Sequence, residues 1–243
     1  MARWMRFLAA VWFLVPQLAI ANLALAAGAP KAVAALQARP PLQILDAAVC
    51  PQTPGSTYCA TATAFYVRLG HRRVVLLPYH AFAAVGAETQ AAVLLVGNDG
   101  RWFSSGARVV ATDPTDDLVA LEPPGFLRGV TPLQLARKVT VGETLAGISS
   151  GYGVRGAFAG QVNYAGPVRE SDGPGEAPWS LTFQGNLATI AWGKVVPGDS
   201  GTPLLDPHGR VAGETVAAAS SSFALVPAST LRTFLAGLPD RTP

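Results

Sequence analysis

Charged residues and metal-binding motifs are scarce in this sequence, and each scarcity excludes a class of protein. Only 14% of the 243 residues are charged and 50% are hydrophobic, which is not the composition of a disordered or acidic-tail protein. No basic stripe with interleaved aromatic residues occurs, so we expect no nucleic-acid partner. The sequence has neither a Cys-x-x-Cys nor a His-Glu-x-x-His motif, so we expect no metal site and no cofactor.

The N-terminal segment, residues 1–26, is typical of an export signal. Its positively charged start, M-A-R-W-M-R, is followed by a long apolar stretch that ends in an A-x-A cleavage pattern at residues 24–26. About 20 apolar residues are also enough to span a bilayer, so an uncleaved membrane anchor is the alternative. Pro16, Gln17 and Asn22 argue against that alternative. We predict a periplasmic or secreted protein, which meets a membrane only if this segment stays attached.

The chain has only two cysteines, Cys50 and Cys59, and they flank the turn-rich octapeptide P-Q-T-P-G-S-T-Y. A bridge between them would close a short loop and stabilise the fold by about 2.5–3 kcal/mol in the chain-entropy model. Two free thiols are the alternative interpretation. Because an exported chain folds in an oxidising compartment, we predict the disulfide.

Short apolar runs separated by glycine and proline are the main structural signal. The chain has 25 glycines and 20 prolines, a composition that favours many short strands over long helices. Strand signals occur in both halves, and residues 230–235 are the best helix candidate. The sequence therefore predicts an all-β fold of two antiparallel β-barrels with a short C-terminal helix.

The domain boundaries follow from the same runs. The Ala- and Pro-rich residues 27–45 are predicted to be a loosely packed lead-in to a domain at 46–240. The first barrel is expected at about 55–125 and the second at about 140–228. Residues 166–179 are polar and rich in helix- and strand-breaking residues, so they are expected to form an exposed loop.

The stretch V-V-P-G-D-S-G-T-P-L-L, residues 195–205, places Ser200 between two glycines. Such a serine is either part of a plain turn or a nucleophile, and a nucleophile needs a base and an orienting carboxylate. Of the three histidines, His71 and His208 lie in turn patterns and should be solvated. His80 follows the apolar run V-V-L-L-P-Y at the end of a predicted buried strand. The alternative for His80 is a histidine at the edge of the core.

Three aspartates in A-T-D-P-T-D-D-L-V-A-L are candidates for the orienting carboxylate: Asp113, Asp116 and Asp117. An aspartate at the start of a short apolar strand can be half-buried, accept a hydrogen bond from an imidazole N–H and hold the required tautomer. A solvated turn is the alternative, because D-P-T-D is turn chemistry.

In combination, these elements resemble the chymotrypsin-like serine proteases, and in particular bacterial trypsin-like peptidases and the HtrA-type protease domain. L-P-Y-H-A-F is similar to the family's strand-then-histidine element, and D-D-L-V-A-L to its Asp-Leu-Ala-Leu element, which selects Asp117 over Asp116. P-G-D-S-G-T-P-L-L-D-P-H-G-R-V-A-G is similar to the nucleophile loop and the hairpin after it. F-A-L-V-P-A-S-T-L resembles the closing strand and helix. The resemblance covers about residues 55–237, and no downstream PDZ domain is expected.

The resemblance implies a catalytic site in the cleft between the two barrels. Ser200 would be the nucleophile, His80 the general base and Asp117 the group that steadies the imidazolium. The backbone amides of Gly198 and Ser200 would form the oxyanion hole. The expected activity is that of an exported serine endopeptidase that cleaves protein or peptide substrates through an acyl-enzyme. An inactive protease-fold binding module and a membrane-tethered scaffold are the alternatives.

The sequence gives little information about substrate specificity. By the same resemblance, Lys194 would approach the primary specificity pocket, where it would favour an acidic side chain, or it would point to solvent. Residues 214–217, including Thr215 and Val216, would form the pocket wall. Thr202 departs from the family, since a small glycine or serine is common there; it should be tolerated, although it crowds the nucleophile loop.

Overall fold

Strands and short connections make up most of the chain that the computed structural model describes. The described residues are 42–51, 59–85, 91–97, 102–103, 107–149, 156–168, 179–186, 198–219 and 222–239. The predicted export segment at 1–26 and Lys194 lie outside these ranges, as do residues 169–178 of the predicted exposed loop. None of the helices in the described ranges has the length and apolar character that crossing a membrane requires.

The N-terminal half forms an eight-stranded sheet. Its strands are β1 (Ile44–Pro51), β2 (Ala60–Leu69), β3 (Arg72–Pro78), β4 (Ala91–Gly97), β5 (Trp102–Phe103), β6 (Val109–Asp113), β7 (Leu118–Leu121) and β8 (Leu133–Gln134). The hydrogen-bonded order is β5-β4-β1-β2-β3-β7-β6, and β8 pairs with β2 in parallel. All other pairs in this sheet are antiparallel among the described residues.

Strands β3 and β7 are buried on both faces, which is why they are continuous apolar runs in the sequence. Successive side chains point to opposite faces of a strand. Leu76 and Leu118 therefore join a hydrophobic cluster with residues of the C-terminal half, whereas Leu77 and Val119 join a second cluster inside the first sheet. Both faces of these strands thus contribute to a core.

The C-terminal half is a closed barrel. Its strands are β9 (Thr144–Ser149), β10 (Gly156–Val168), β11 (Trp179–Asn186), β12 (Pro203–Leu205), β13 (Val211–Ala219) and β14 (Ser222–Pro227). They follow each other around the barrel in the order β10-β11-β14-β13-β12-β9. Closure leaves no exposed sheet edge.

Two α-helices and one 3-10 turn complete the described structure: α1 (His80–Ala83), the 3-10 helix Gly125–Leu127 and α2 (Ala228–Gly237). In α2, Leu231 and Leu235 are fully buried against the cluster that both halves share. Their spacing of four residues places them on one face of the helix. The prediction of an all-β double barrel with a short C-terminal helix is confirmed.

The first sheet begins earlier than the sequence predicts. Strand β1 starts at Ile44, although residues up to 45 were expected to be a lead-in and the barrel was expected from about 55. Ile44 and Leu45 are fully buried because β1 pairs with β2 on one side and with β4 on the other. The lead-in prediction is therefore wrong for the last residues of that range.

The predicted disulfide is confirmed between Cys50 near the end of β1 and Cys59 just before β2. These strands are antiparallel neighbours, with Val49 opposite Ala60, so the two cysteines occupy the next paired position. The disulfide therefore closes the hairpin that joins β1 to β2.

Candidate active site

His80 and Asp117 are in direct contact at the ends of two neighbouring strands. β3 pairs with β7, with Pro78 opposite Leu118, so His80 just after β3 lies beside Asp117 just before β7. Asp117 Oδ2 lies 2.7 Å from His80 Nδ1, and Asp117 Oδ1 accepts a hydrogen bond of 2.6 Å from the His80 backbone N–H. An ionised carboxylate only accepts hydrogen bonds, so in this contact His80 Nδ1 is the donor and Nε2 faces away from Asp117.

The backbone of Asp117 is shaped for this contact. Its φ of 55° lies in the left-handed region, which an aspartate adopts more readily than most residues. The Asp117 carbonyl accepts a hydrogen bond of 3.1 Å from the Tyr79 backbone N–H, which ties the turn to the start of α1. The Asp117 side chain is 12% exposed and the His80 side chain 46%. The carboxylate is thus shielded while the imidazole reaches the surface.

The other candidate histidines and aspartates are not part of this contact. Asp113 Oδ1 accepts hydrogen bonds from the backbone N–H groups of Thr115 and Asp116, which is the predicted turn chemistry. His71 and His208 lie on exposed turns. Among the described residues, no group of three or more histidine, cysteine, aspartate or glutamate side chains is placed to hold a metal ion.

The loop that carries Ser200 is held by residues from both halves of the molecule. The backbone N–H of Thr63 on β2 donates to the Ser200 carbonyl at 2.8 Å, and its Oγ1 donates to the Gly198 carbonyl at 3.0 Å. From the second barrel, the Thr215 carbonyl accepts a hydrogen bond of 2.6 Å from the Gly201 N–H. The Ser200 loop therefore lies at the junction of the two halves.

Gly201 brings this loop against the end of β3. A Cβ atom at Gly201 would overlap the Thr63 carbonyl and lie 2.7 Å from Pro78 Cδ. Gly201 also has a φ of 87°, and Gly198 a φ of 101°, which are conformations that favour glycine. Since Pro78 precedes His80 by two residues, the Ser200 loop lies against the strand that leads to His80.

Thr202 is held in the loop by hydrogen bonds from its hydroxyl and to its carbonyl. Its buried hydroxyl donates to the Asp199 carbonyl at 2.6 Å. Its own carbonyl accepts hydrogen bonds from Thr215, at 3.0 Å from the backbone N–H and 3.1 Å from Oγ1. Thr202 therefore joins the loop to β13.

Residues near the proposed specificity pocket have structural partners. Thr215 is buried and bonded to Thr202, and Val216 packs in the hydrophobic cluster shared by the two halves. Lys194 lies outside the described residues. The assignment of these three residues to a specificity pocket stays a prediction.

Glu214 is a buried acid, and the sequence predicts for it only a place in residues 214–217, the proposed pocket wall. It lies on β13, is fully buried, and neither carboxyl oxygen has a hydrogen-bond partner within the described part of the chain. Burial raises the pKa of Glu214 well above its ordinary value, and the negative charge of Asp117 raises that pKa further. The only sequence signal is one acid within the otherwise uncharged strand V-A-G-E-T-V.

The architecture is that of the chymotrypsin-like proteases of the HtrA type, as the sequence resemblance predicts. The chain is similar to the crystal structure of the active form of the Rv3671c protease from M. tuberculosis, with 20% identity, a TM-score of 0.65 and coverage of 86% of each chain. It is also similar to Deg5, with 22% identity, a TM-score of 0.57 and coverage of 82% of this chain and 89% of Deg5.

A third similar structure is the HtrA-type protease AlgW with tripeptide, at 19% identity and a TM-score of 0.61, covering 83% of this chain and 61% of AlgW. No protein-family model matches the sequence, and neither does any curated protein sequence. At this level of identity, the likeness establishes the fold.

Proposed function

We propose that this protein is an exported serine endopeptidase that hydrolyses peptide bonds in protein substrates. The observation that carries the proposal is the two-point contact of the Asp117 carboxylate with His80, on an HtrA-type fold whose Ser200 loop rests against the strand leading to His80. A nucleophile, a base and a group that orients the base are the three parts that serine-type acyl transfer needs.

In the proposed reaction, Ser200 Oγ attacks the carbonyl carbon of the peptide bond while His80 Nε2 takes its proton. The tetrahedral intermediate collapses, the C–N bond breaks, and the protonated imidazole gives its proton to the leaving amine. Water then attacks the acyl-enzyme with His80 again acting as base. Asp117 remains ionised throughout and stabilises the imidazolium that forms in each half of the reaction.

The backbone amides of Gly198 and Ser200 are the proposed oxyanion hole. Within the described residues, neither amide donates a hydrogen bond, whereas the carbonyls of both residues accept one from Thr63. Two such donors aimed at the developing negative charge would each be worth about 2.7–4 kcal/mol to the transition state.

The proposed location is the periplasm or the cell exterior, and the proposed substrates are proteins or peptides. The disulfide between Cys50 and Cys59 supports an oxidising compartment. The predicted export signal at residues 1–26 supports the same location. The tripeptide in the AlgW structure supports peptide substrates for this fold.

A fluorophosphonate probe tests the proposal, because it labels a serine only when a base activates it. We expect labelling of the wild type, no labelling of Ser200→Ala, and a loss of about 10⁶-fold in turnover of fluorescent casein by that variant. Ser229→Ala, at an exposed serine of α2, is the matched control and should label normally. Folded wild-type protein that does not react would reject the proposal and favour the inactive binding module.

A further inference from the structure

A groove of about 400 Å³ lies where the end of β2, the segment that follows β8, and helix α2 meet. Three arginines from these separate elements line it: Arg68, Arg137 and Arg232. Gln134 contributes an amide, and no acidic residue is part of the lining. Its volume is within the range of small-molecule sites, about 300–1,000 Å³. The groove therefore concentrates positive charge, with no counter-charge among the described residues that line it.

The guanidinium groups in the groove are poorly satisfied by the protein itself. The side chains of Arg68 and Arg137 take part in no hydrogen bond or ion pair within the described part of the chain. Arg232 donates through Nη2 to the Ala136 carbonyl, but its Nε is buried and has no partner in the described ranges. A buried donor without an acceptor destabilises the fold, so an acceptor bound in the groove would offset that cost.

The adjoining hairpin adds to the same positive field. Arg68 on β2 is paired directly with Arg73 on β3, and like charges at directly opposite positions of a sheet repel each other. The neighbouring Arg72 is bonded to the carbonyls of Leu235 and Ala236 near the end of α2. An anion beside Arg68 would lower the repulsion between the two strands.

We propose that this groove binds an anion that carries phosphate groups. The planar guanidinium forms paired hydrogen bonds with phosphate oxygens, and three of them provide more donors and charge than one carboxylate can match. A pyrophosphate group carries several charges and has enough acceptor oxygens for all three. Arg68 lies five residues from Thr63 along β2, or about 17 Å at 3.3 Å per residue, so this site is separate from the Ser200 loop.

Binding of pyrophosphate to the full chain tests the proposal, with chloride used to match the ionic strength. Calorimetry should show a saturable site in the wild type, and pyrophosphate should raise its melting temperature. Arg68→Ala and Arg137→Ala, at arginines whose side chains have no partner in the described part of the chain, should each weaken binding about tenfold or more, because each removes a charge-assisted hydrogen bond. Arg128→Ala, at an exposed arginine outside the groove, should bind normally.

A second arm distinguishes a lipid headgroup from a soluble phosphate. If the phosphate group belongs to a lipid, vesicles of phosphatidylglycerol with phosphatidylcholine should bind the wild type and should bind the Arg68 and Arg137 variants more weakly. If the protein binds pyrophosphate but not the vesicles, the ligand is a soluble phosphate. The proposal is overturned if pyrophosphate does not bind at millimolar concentration, or if both variants bind it as the wild type does. Binding of a polyglutamate peptide without any binding of pyrophosphate also overturns it.

Discussion

Thr63 is the residue on which the geometry of the Ser200 loop depends most directly. It is fully buried on β2, and it donates one hydrogen bond to the Ser200 carbonyl and another to the Gly198 carbonyl. If the amides of those two residues form the oxyanion hole, the two hydrogen bonds from Thr63 restrict the movement of the loop that carries them. Thr63 is thus a positioning residue, since it acts through the loop.

Thr63→Val is predicted to lower kcat/KM on a peptide substrate by about 10–100-fold, because it keeps the shape of the side chain and removes the hydrogen bond to Gly198. The loss of one oxyanion-hole donor costs about 2.7–4 kcal/mol, and a misdirected donor should lose part of that. Thr63→Ser, which retains the hydroxyl, is the control and should keep most of the activity. If Thr63→Val reacts with the fluorophosphonate probe as fast as the wild type, Thr63 does not position the Ser200 loop.

Single residues differ in how far the sequence can predict them. The order His80, Asp117, Ser200 is visible because each lies in a short local motif beside a strand or a pair of glycines. Thr63 carries no such signal, since its hydrogen-bond partner Gly198 lies 135 residues away and is met only when the two halves pack together. Glu214 is similar: its sequence neighbours are ordinary, and its raised pKa comes from tertiary burial and from Asp117.

At the scale of elements, apolar runs rich in strand-forming residues predict strands that the structure contains, whereas β1 is not predicted. The runs V-V-L-L and L-V-A-L lie in β3 and β7, and they are continuously apolar because both faces of these strands are buried. β1 was missed because its second half, A-A-V-C-P, has little intrinsic strand preference and is held by β2 and β4. Its register is set by partners that the local sequence does not contain.

The hairpin of β1 and β2 gives a prediction for the Cys50–Cys59 disulfide. The double variant Cys50→Ser with Cys59→Ser should lower the free energy of unfolding by about 2.5–3 kcal/mol, because the bridge restricts the unfolded chain by closing a loop of about ten residues. Equilibrium unfolding in urea measures the change, and wild-type protein unfolded with a reductant is the control, expected to match the variant. A difference between wild type and double variant below about 0.5 kcal/mol would contradict this role.

At the scale of the whole molecule, the two halves are joined by one hydrophobic cluster. Phe65 and Leu76 of the first sheet pack in the same cluster as Leu205, Val226 and Leu231 of the C-terminal half. Buried apolar area is the main favourable term in folding, and residues of both halves share this cluster. We therefore treat unfolding as one cooperative transition, to which each buried group contributes.

Glu214 should make that transition depend on pH. Its pKa is raised in the folded protein, by burial first and by the charge of Asp117 second, so the folded state holds a proton that the unfolded state releases. Its contribution to stability is fully present below the unfolded pKa of about 4.3 and is lost as the pH rises toward the folded pKa. Within that window, the wild type should lose up to about 1.4 kcal/mol of unfolding free energy per pH unit through this one group.

Glu214→Gln keeps the size of the side chain and removes its titration, so its unfolding free energy should fall less steeply with pH than that of the wild type. Urea unfolding at a series of pH values from acidic to mildly alkaline measures the two curves, which should diverge as the pH rises. Glu122→Gln, at an exposed carboxylate paired with Arg108, is the matched control and should follow the wild type. Parallel curves for Glu214→Gln and the wild type would mean that the Glu214 carboxyl reaches solvent or a cation in solution, and that burial does not hold its proton.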